Sequence, residues 1–515
     1  MKNIIYSIVA GLILFLAIYF GLPTIGFTPS LIFSIIAAFA IPGICDIWSR
    51  LDYEEGSVIG LISTIVEGLA IVVLIIVGLI SLFAWEDLKV AMTKVDKTEA
   101  EAIVDLPTIE NIEGISLMDT ASAKKIGDRI VGSETDIISQ FELPTYYTQV
   151  VNGEIKKIAP FEYGSFFKAM NNDYAPGYVI VDTSSNEAEI IRCEIVVAPS
   201  DVFSNDLNRV VWNALPNEYR GEYSFQVDDE GNPYWVVTLL KPVHVWGGKV
   251  PYAIAVVDAC TGIVTKYEGE EIPAWVDQVY SGDMVSKMYN WYGNYINGFW
   301  NLSQKGETMT TDDFGYVCKD NTLYVYTGVT AKSSEESNLG FILANTRTGE
   351  VSYYPVSGAE EYSAMSAAEG IVQNYGYEAS FPSLVYVGSE PTYVTALKDA
   401  NGLVKQYGMV SLKNYTVVAV GDTIAEATKE YRKALANAGT ASNVVNTEDI
   451  IETSITIDEV TFIVVDGNTV TYIESNGKIY KSSFVEEDLL LNVGDSYTVK
   501  YDKSEEDSLV IENLN

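Results

Sequence analysis

His244 is the only histidine in this chain of 515 residues, so histidine-based acid–base chemistry would depend on one position. A histidine that serves as a general base needs a nucleophile and an orienting acid beside it. The surrounding run, Pro-Val-His-Val-Trp-Gly-Gly over residues 242–248, is typical of a hairpin tip whose turn holds the two glycines. We therefore predict a structural or surface role for His244.

Ser122 and Lys125 fit the Ser-x-x-Lys spacing that supplies the nucleophile of some acyl enzymes. The sequence holds neither of the companion boxes, Ser-Asp-Asn and Lys-Thr-Gly, that accompany this spacing in those enzymes. Serine is also a favoured cap at the start of a helix. We therefore interpret Ser122 as a helix-start residue and not as a nucleophile.

Asp228 opens an acidic run, Asp-Asp-Glu-Gly-Asn-Pro, that has the composition of a calcium loop. Such a loop needs an acid at its twelfth position, which here is Leu239. A hairpin turn through Gly231 and Asn232 explains the run, while weak surface binding of Ca²⁺ stays an alternative. A single histidine excludes the usual histidine-rich zinc sites. We predict no metal, no cofactor and no catalytic residue.

Cysteines are sparse, which excludes a disulfide scaffold. Cys45 lies in the apolar N-terminal part, and Cys193, Cys260 and Cys318 lie beyond it. Because three is an odd number, an oxidising compartment would leave at least one of these thiols free or intermolecular. We expect them to be small buried residues.

The charge balance excludes one class of partner. The chain holds 70 acidic and 32 basic side chains, a net charge of −38, whereas nucleic-acid binding needs a basic face for the phosphates. Residues 1–85 hold five of the acids and two of the bases, so residues 86–515 keep 65 acids and 30 bases, a net charge of −35. We predict no nucleic-acid partner, and we expect this acidic part to stand off anionic lipid headgroups.

Three apolar runs near the N-terminus predict an integral membrane protein with three helical spans, at about residues 4–22, 31–44 and 58–85. The first run is uncharged and long enough to cross about 30 Å of hydrocarbon. Two spans, with the short second run re-entrant or interfacial, stay an alternative. Glu67 is the only acid of the third run, and we interpret it as an interfacial carboxylate rather than as a site for ions or partner helices.

The basic residues favour one orientation. The positive-inside rule places Lys2 and Arg50 in the cytoplasm. With three spans, the large C-terminal part would then be extracytoplasmic. The charged stretch over residues 86–118 indicates a stalk between the membrane and this part, or a helix leading out of the membrane.

A repeated hairpin pattern over residues 119–440 predicts an α+β fold of about four units, each roughly 80 residues long. The strands alternate apolar and polar residues around a turn, as in a hairpin with one buried face. The four hairpins cover residues 178–191, 252–267, 341–354 and 407–420. The helices that open the units are predicted to begin near Ala121, Val202, Gly282 and Ala364.

Residues 450–515 differ in character and predict a small β-barrel of the OB or SH3 kind. Five short strands in about 65 residues are typical of such barrels. The acidic clusters at residues 486–488 and 505–507 exclude single-stranded nucleic acid as its ligand.

The hairpin sequence Val-Asp-x-x-Thr-Gly-x-Val at residues 257–264 resembles the PepSY-type module, and residues 344–351 match it with Ala-Asn in place of Val-Asp. The chain is also similar to uncharacterised bacterial and phage membrane-anchored proteins that carry the stretches found here at residues 233–239 and 399–405. PepSY-type domains are associated with binding or restraining extracellular peptidases and with sensing at the cell surface. The resemblance therefore implies interaction, and it supplies no catalytic residue.

These observations predict a membrane-anchored, non-enzymatic structural or interaction protein at a cell or virion surface, with protein partners. The alternative is a PepSY-like regulator or sensor that binds or restrains an exported peptidase. The 34 tyrosines fit a contact surface, and self-association is one use for it, but tyrosine is equally common in strands.

Overall fold

The computed structural model describes residues 2–25, 28–53, 58–81, 83–109, 118–183, 185, 187–245, 247–332, 334–438, 450–465, 468–476, 478–483, 491–502 and 509–510. Helices and mostly antiparallel sheets are mixed along the chain, which confirms the α+β class. The chain divides into two compact bodies. The main body holds residues 1–386 and 391–435, and the C-terminal body holds residues 387–390 and 436–515.

Three long helices open the main body: α1 (Lys2–Gly21), α2 (Pro29–Tyr53) and α3 (Val58–Ser81). Each contacts the other two. Because short connections make consecutive helices antiparallel, the C-terminal ends of α1 and α3 lie at the same end of the bundle. Large apolar side chains remain exposed along α1 and α3, as is typical of helices that face lipid.

The helices differ in how well they fit a membrane. Gly60–Ile80 in α3 is long and apolar enough to cross one, judged by length and composition. The apolar parts of the other two, Ile8–Gly21 and Pro29–Cys45, are shorter. The third predicted span extended to residue 85, but α3 ends at Ser81. Three spans remain a prediction.

The predicted stalk is wrong for its described residues, 86–109. Helix α4 (Trp85–Lys89), strand β1 (Lys94–Asp96) and helix α5 (Glu99–Asp105) follow α3. Strand β1 pairs in parallel with Val351–Tyr354 and so joins a sheet of the main body.

The stalk was predicted from the charged residues of this segment, but those of α5 lie mainly on its outer face. Glu99 and Glu101 are exposed, whereas Ala102 and the following Leu106 are buried in a core. A capping box between Thr98 and Glu101 fixes the helix start. Residues 110–117 of the predicted stalk lie outside the described residues.

Module 1 (residues 120–195) is a helix followed by a sheet. Its elements are α6 (Thr120–Val131), α7 (Thr135–Ile138), β2 (Phe141–Glu142), β3 (Tyr147–Val151), β4 (Glu154–Pro160), β5 (Glu162–Tyr163), α8 (Phe166–Asn171), β6 (Ala175–Asp182) and β7 (Ala188–Ile195). Its main sheet is antiparallel in the order β3-β4-β6-β7, and β2 pairs with β5.

Module 2 (residues 207–268) has the same plan with longer strands. Its elements are α9 (Leu207–Ala214), β8 (Tyr219–Val227), β9 (Pro233–His244), β10 (Gly247–Asp258) and β11 (Val264–Glu268). The four strands form an antiparallel meander in chain order.

Modules 3 and 4 (residues 282–354 and 361–421) repeat the plan. Module 3 holds α10 (Gly282–Tyr295), β12 (Thr308–Thr310), β13 (Gly315–Lys319), β14 (Thr322–Ala331), β15 (Ser334–Asn345) and β16 (Val351–Tyr354). Module 4 holds α11 (Glu361–Ile371), β17 (Glu378–Ala379), β18 (Ser383–Val387), β19 (Glu390–Lys398), β20 (Val404–Ser411) and β21 (Val418–Gly421), and α12 (Ile424–Asn437) follows it. The sheet orders are β1-β16-β15-β14-β12 and β17-β19-β20-β21, with β13 on β14 and β18 on β19.

The four predicted hairpins are confirmed as β6–β7, β10–β11, β15–β16 and β20–β21. The helices of modules 1, 3 and 4 begin at Thr120, Gly282 and Glu361, close to the predicted positions. Helix α9 begins at Leu207 rather than near Val202. Its start is fixed by Asp206, whose carboxylate accepts a hydrogen bond from Arg209 N at 2.8 Å.

Two pairs of modules share large hydrophobic cores. Modules 1 and 2 share one hydrophobic core, in which Trp235 is fully buried and its indole N–H donates to Val197 O at 2.8 Å. Modules 3 and 4 share a second core with α5. Because its two modules share a core, each pair forms a single packed structure and not two independent domains.

The C-terminal body consists of short strands. They are β22 (Ile450–Thr456), β23 (Glu459–Val465), β24 (Asn468–Ser475), β25 (Lys478–Ser483), β26 (Ser496–Asp502) and β27 (Leu509–Val510). β22 pairs with β26, and the others form a sheet in the order β23-β24-β25-β27. The acidic clusters at 486–488 and 505–507 lie outside the described residues.

Candidate functional site

His244 lies at the end of β9, at the hairpin tip that the sequence predicts. It contacts a segment that the sequence did not connect with it: its Nδ1 lies 2.5 Å from Asp87 Oδ2 in α4. Next to it, Gly248 has a positive φ of 51° and packs so tightly against Leu88 that a β-carbon would clash. His244 therefore holds the hairpin tip against the helix that follows α3.

Ser122 is buried in the first turn of α6 and is not the cap of that helix. The cap is Asp119, whose side chain accepts a hydrogen bond from Ser122 N at 2.8 Å. The Ser122 hydroxyl donates to Gly402 O at 3.4 Å. It therefore serves packing between modules 1 and 4, and the predicted capping role belongs to Asp119.

The acidic run at Asp228 forms the predicted hairpin turn between β8 and β9. Asp228 Oδ1 accepts from the backbone N–H groups of Glu230 and Asn232, at 3.0 and 2.8 Å, and Oδ2 accepts from Asn232 Nδ2. The turn thus engages both carboxylate oxygens of Asp228 in hydrogen bonds. Among the described residues, no group of three or more His, Cys, Asp or Glu side chains is arranged to hold a metal ion.

Two of the thiols lie together, which the sequence did not indicate. Cys193 in β7 and Cys260 in the β10–β11 turn lie close enough for each thiol to affect the pKa of the other. Burial raises the pKa of the Cys193 thiol to about 12. Cys318 lies in β13, where its thiol faces Gly153 O at 3.9 Å.

Glu67 lies within the Gly60–Ile80 segment and faces a neighbouring helix. A β-carbon on Gly43 of α2 would lie 2.8 Å from Glu67 Oε2. The carboxylate of this α3 residue therefore packs against α2 beside Gly43.

A network of hydrogen bonds joins the end of α1 to module 2. Three side chains donate to backbone carbonyls there: Arg209 Nη2 to Tyr19 O at 2.9 Å, Arg220 Nη2 to Leu22 O at 2.7 Å and Trp212 Nε1 to Pro23 O at 2.9 Å. The last carbonyls of a helix lack partners within the helix and carry partial negative charge. Cationic and N–H donors from module 2 satisfy them.

The backbone continues this contact beyond α1. Ile25 N donates to Pro216 O at 2.8 Å, and the buried Thr24 hydroxyl donates to Glu218 O at 3.3 Å. The Arg209 guanidinium also lies over the Tyr19 ring, 4.3 Å from its centroid. The loop between α1 and α2 is therefore bonded to module 2 through several groups.

A second contact lies at the end of α3. Besides the Asp87–His244 pair, Lys89 Nζ donates to Ile296 O at 2.9 Å, just after α10. Helix α4 packs on α10 and on β9. We call the contacts at the ends of α1 and α3 together the junction.

A cavity of about 490 Å³ opens beside the first contact. Its charged lining residues are Arg209, Arg220, Asp201 and Asp206. Arg209 Nε and Arg220 Nη1 are buried and have no hydrogen-bond partner. Burial raises the pKa of both aspartates and lowers that of Arg220.

A buried polar seam connects module 1 with the chain between modules 2 and 3. Asp277 Oδ2 accepts from Val150 N at 2.6 Å, and Asp277 N donates to Gln226 Oε1 at 2.9 Å. Burial raises the pKa of Asp277 to about 7. This seam holds the modules in a fixed relation.

Apart from His244, the side chains of the junction are not ones that the sequence marks as functional. The chain has only seven arginines, and Arg209 and Arg220 are two of them, separated by little more than one helix. The closeness of these two arginines in the sequence, with Trp212 between them, was the feature that could have indicated the junction. No protein-family model matches the chain, and no curated protein shows significant similarity to it.

Proposed function

We propose that this chain is a membrane-anchored, non-enzymatic structural or interaction protein that holds a large acidic body at a cell or virion surface. The observation that carries the proposal is the junction, where Arg209, Arg220 and Trp212 bind carbonyls at the end of α1. Such contacts fix the orientation of the body relative to the helices. A fixed orientation suits a protein that presents a surface to a partner.

The placement outside the cytoplasm rests on helix direction and charge. The acidic part of the chain, residues 86–515, begins after α3, at the end of the bundle where α1 also ends. Lys2 and Arg50 belong to the opposite end, which the positive-inside rule assigns to the cytoplasm. The proposed partners are the lipid bilayer and other proteins, including further copies of the chain.

Protease accessibility in intact cells tests this placement, with an antibody against the last 65 residues as the readout. We expect the epitope to be lost in intact cells, since the body faces outward. Cells permeabilised before protease treatment provide the control for cleavability. An epitope that survives until permeabilisation would place the acidic body in the cytoplasm or a virion interior, and an assembly scaffold would replace this proposal.

A regulator or sensor of an exported peptidase is the second candidate, supported by a shared turn geometry. Asp258 Oδ1 accepts from Cys260 N and Thr261 N at 2.9 and 3.0 Å. In the corresponding turn of module 3, Asn345 Oδ1 accepts from the backbone N–H groups of residues 347 and 348, also at 2.9 and 3.0 Å.

A glycine with a φ near +75° completes each turn, at Gly262 and Gly349. Equal turns in equivalent hairpins support a repeated module and hence the resemblance to PepSY-type domains. The test measures the activity of the cell's exported peptidases with the full chain in lipid nanodiscs and with empty nanodiscs. Lowered activity with the chain supports regulation, and unchanged activity across those peptidases contradicts it.

The C-terminal body is proposed as a small barrel of the OB or SH3 kind that serves protein contact. The seven-residue pairing of β22 with β26 and the four-stranded sheet supply the strands such a barrel needs. An experimental structure in which hydrogen bonds close the two sheets into one barrel would support this, and an open pair of sheets would contradict it.

A further inference from the structure

Two exposed apolar patches lie where the helices meet the folded part. The Phe166 patch consists of Phe20, Phe166, Phe167, Met170 and Phe203, and all five are exposed. The Trp300 patch consists of Phe83, Val90, Trp300 and Leu302, and these are exposed as well. The most exposed members are Phe167 at 74%, Trp300 at 82% and Leu302 at 87%. Soluble proteins rarely leave groups of large apolar side chains in water without a partner for them.

Each patch is continuous with a helix end. Phe166 and Phe203 line the same cavity as Tyr19 and Phe20, which are among the last residues of α1. The Phe166 and Phe203 rings contact each other, with centroids 6.0 Å apart. The Phe166 patch therefore borders the point where α1 would leave the hydrocarbon.

The Trp300 patch borders the end of α3 in the same way. Phe83 and Val90 flank α4, and a β-carbon added to Gly298 would lie 3.8 Å from the Trp85 ring. Lys89 Nζ donates to Ile296 O at 2.9 Å and so holds the loop after α10 beside α4. Because α1 and α3 end at the same end of the bundle, both patches lie at one membrane surface.

We propose that the Phe166 and Trp300 patches insert into the headgroup interface of the membrane that the helices cross, so that the acidic body rests on the bilayer at two points. This inference rests on the proposed membrane anchoring. Phe and Trp side chains are favoured at that depth. The net charge of −38 opposes anionic lipid, so zwitterionic phospholipid is the fitting surface. The body then lies on the membrane, contrary to the stand-off expected from net charge alone.

The cavity beside the Phe166 patch fits the same partner. Its two arginines carry unpartnered N–H groups, which suit a lipid phosphate, and its two aspartates suit the ammonium group of a zwitterionic headgroup. A headgroup can enter here because the cavity opens next to the last residues of α1.

Tryptophan quenching in the intact chain tests the proposal. The chain is reconstituted into phosphatidylcholine bilayers with and without bromine on the acyl chains, which quench only nearby indoles. The Trp300 signal is the difference between the wild type and Trp300→Phe. The Phe166 patch is probed by Phe167→Trp, an exposed position that tolerates the larger ring. We expect a severalfold loss of both signals in brominated lipid.

Two controls make the outcome decisive. Ile263→Trp places an indole at a comparably exposed site, since Ile263 is 65% exposed. This site follows the end of β10 that is opposite the hairpin tip in contact with α4. At 3.3 Å per residue, the two ends of the strand are about 35 Å apart. Its signal should persist in brominated lipid. Trp48, measured through Trp48→Phe, reports whether the helices have inserted.

Quenching of Trp48 without quenching at positions 300 and 167 would overturn the proposal and leave membrane anchoring intact. No quenching at any of the three positions would overturn the anchoring itself. Equal quenching at positions 263 and 300 would overturn the two-patch geometry.

Discussion

At the scale of single residues, Arg347 shows how one side chain closes a backbone turn. Its guanidinium donates to four carbonyls: Nη1 to Pro273, Ala274 and Val276, and Nη2 to Ile272 at 2.5 Å. A planar fork of donors suits this set, and a lysine ammonium does not. The residues between modules 2 and 3 are therefore held by one side chain.

Arg347→Lys is predicted to lower the free energy of unfolding by about 2–3 kcal/mol, because carbonyls lose charge-assisted hydrogen bonds. Urea unfolding of the chain in nanodiscs measures the change. Arg192→Lys is the matched control, since Arg192 makes only an exposed pair with Glu134. Its effect should stay within about 0.5 kcal/mol. A loss no larger for Arg347 than for Arg192 would contradict the prediction.

Asp277 predicts a pH dependence of stability. Its pKa in the folded chain is raised to about 7, chiefly by burial, above the value of about 3.9 in an unfolded chain. The folded state therefore binds this proton more tightly. Its contribution is fully present below about pH 4 and is lost as the pH rises to about 7.

Comparison with Asp277→Asn isolates this contribution from the other acids. Relative to the variant, the wild type should lose stability between about pH 4 and 7, by at most about 1.4 kcal/mol per pH unit. The measurement is the unfolding free energy of both proteins across that range. Parallel curves for the two proteins would show that Asp277 does not titrate in this way.

The neighbouring thiols of Cys193 and Cys260 predict a disulfide when the body faces an oxidising compartment. A disulfide donor accepts the two electrons while the two thiols release two protons. Differential alkylation and peptide mapping of protein from intact cells should find these two cysteines linked and Cys318 free. Both thiols alkylated without prior reduction would argue against the pairing or the compartment.

At the scale of elements, the junction depends on α9 and the loop after α1. Trp212→Phe keeps an aromatic side chain, although a smaller one, and removes the N–H group that donates to Pro23 O at 2.9 Å. We expect faster hydrogen exchange at residues 22–25, above all at the Ile25 amide bonded to Pro216 O. The loss of one hydrogen bond corresponds to about a fivefold to tenfold change.

Trp275→Phe is the matched control for this variant. Trp275 stacks on Tyr234 in the seam between modules and lies in no contact with α1. Exchange at residues 22–25 should remain unchanged in it. Equal acceleration in both variants would mean that the loop responds to general loss of stability and not to the junction.

The hairpins could be predicted from sequence because their information is local. Asp258 and Gly262 set one turn through contacts within five residues, and Asn345 and Gly349 set another. The junction could not be predicted in this way. Arg209 reaches Tyr19 across 190 positions, and no local pattern marks that approach.

The stalk prediction failed for a related reason. Strand β1 is only three residues long and is stabilised by its parallel partner at Val351–Tyr354. Its residues show no alternation long enough to indicate a strand. Short strands that complete a distant sheet are recognisable only once that sheet is known.

At the scale of the whole molecule, net charge acts on every module at once. A body with a net charge of −35 repels itself, and salt screens this repulsion over about 10 Å at 0.1 M. Most of the described ion pairs have at least one partner that is partly shielded from solvent, and salt screens such pairs less than exposed ones. Screening should therefore stabilise the fold.

Thermal unfolding in nanodiscs should show a Tm that rises by a few degrees between about 10 mM and 0.5 M NaCl. MgCl₂ and CaCl₂ at equal ionic strength separate screening from specific binding. Because the oxygens of Asp228 are occupied by their own turn, calcium should raise the Tm no more than magnesium does. A Tm that falls with NaCl would show that ion pairs outweigh the repulsion. A rise specific to calcium would reveal a cation site on this acidic surface.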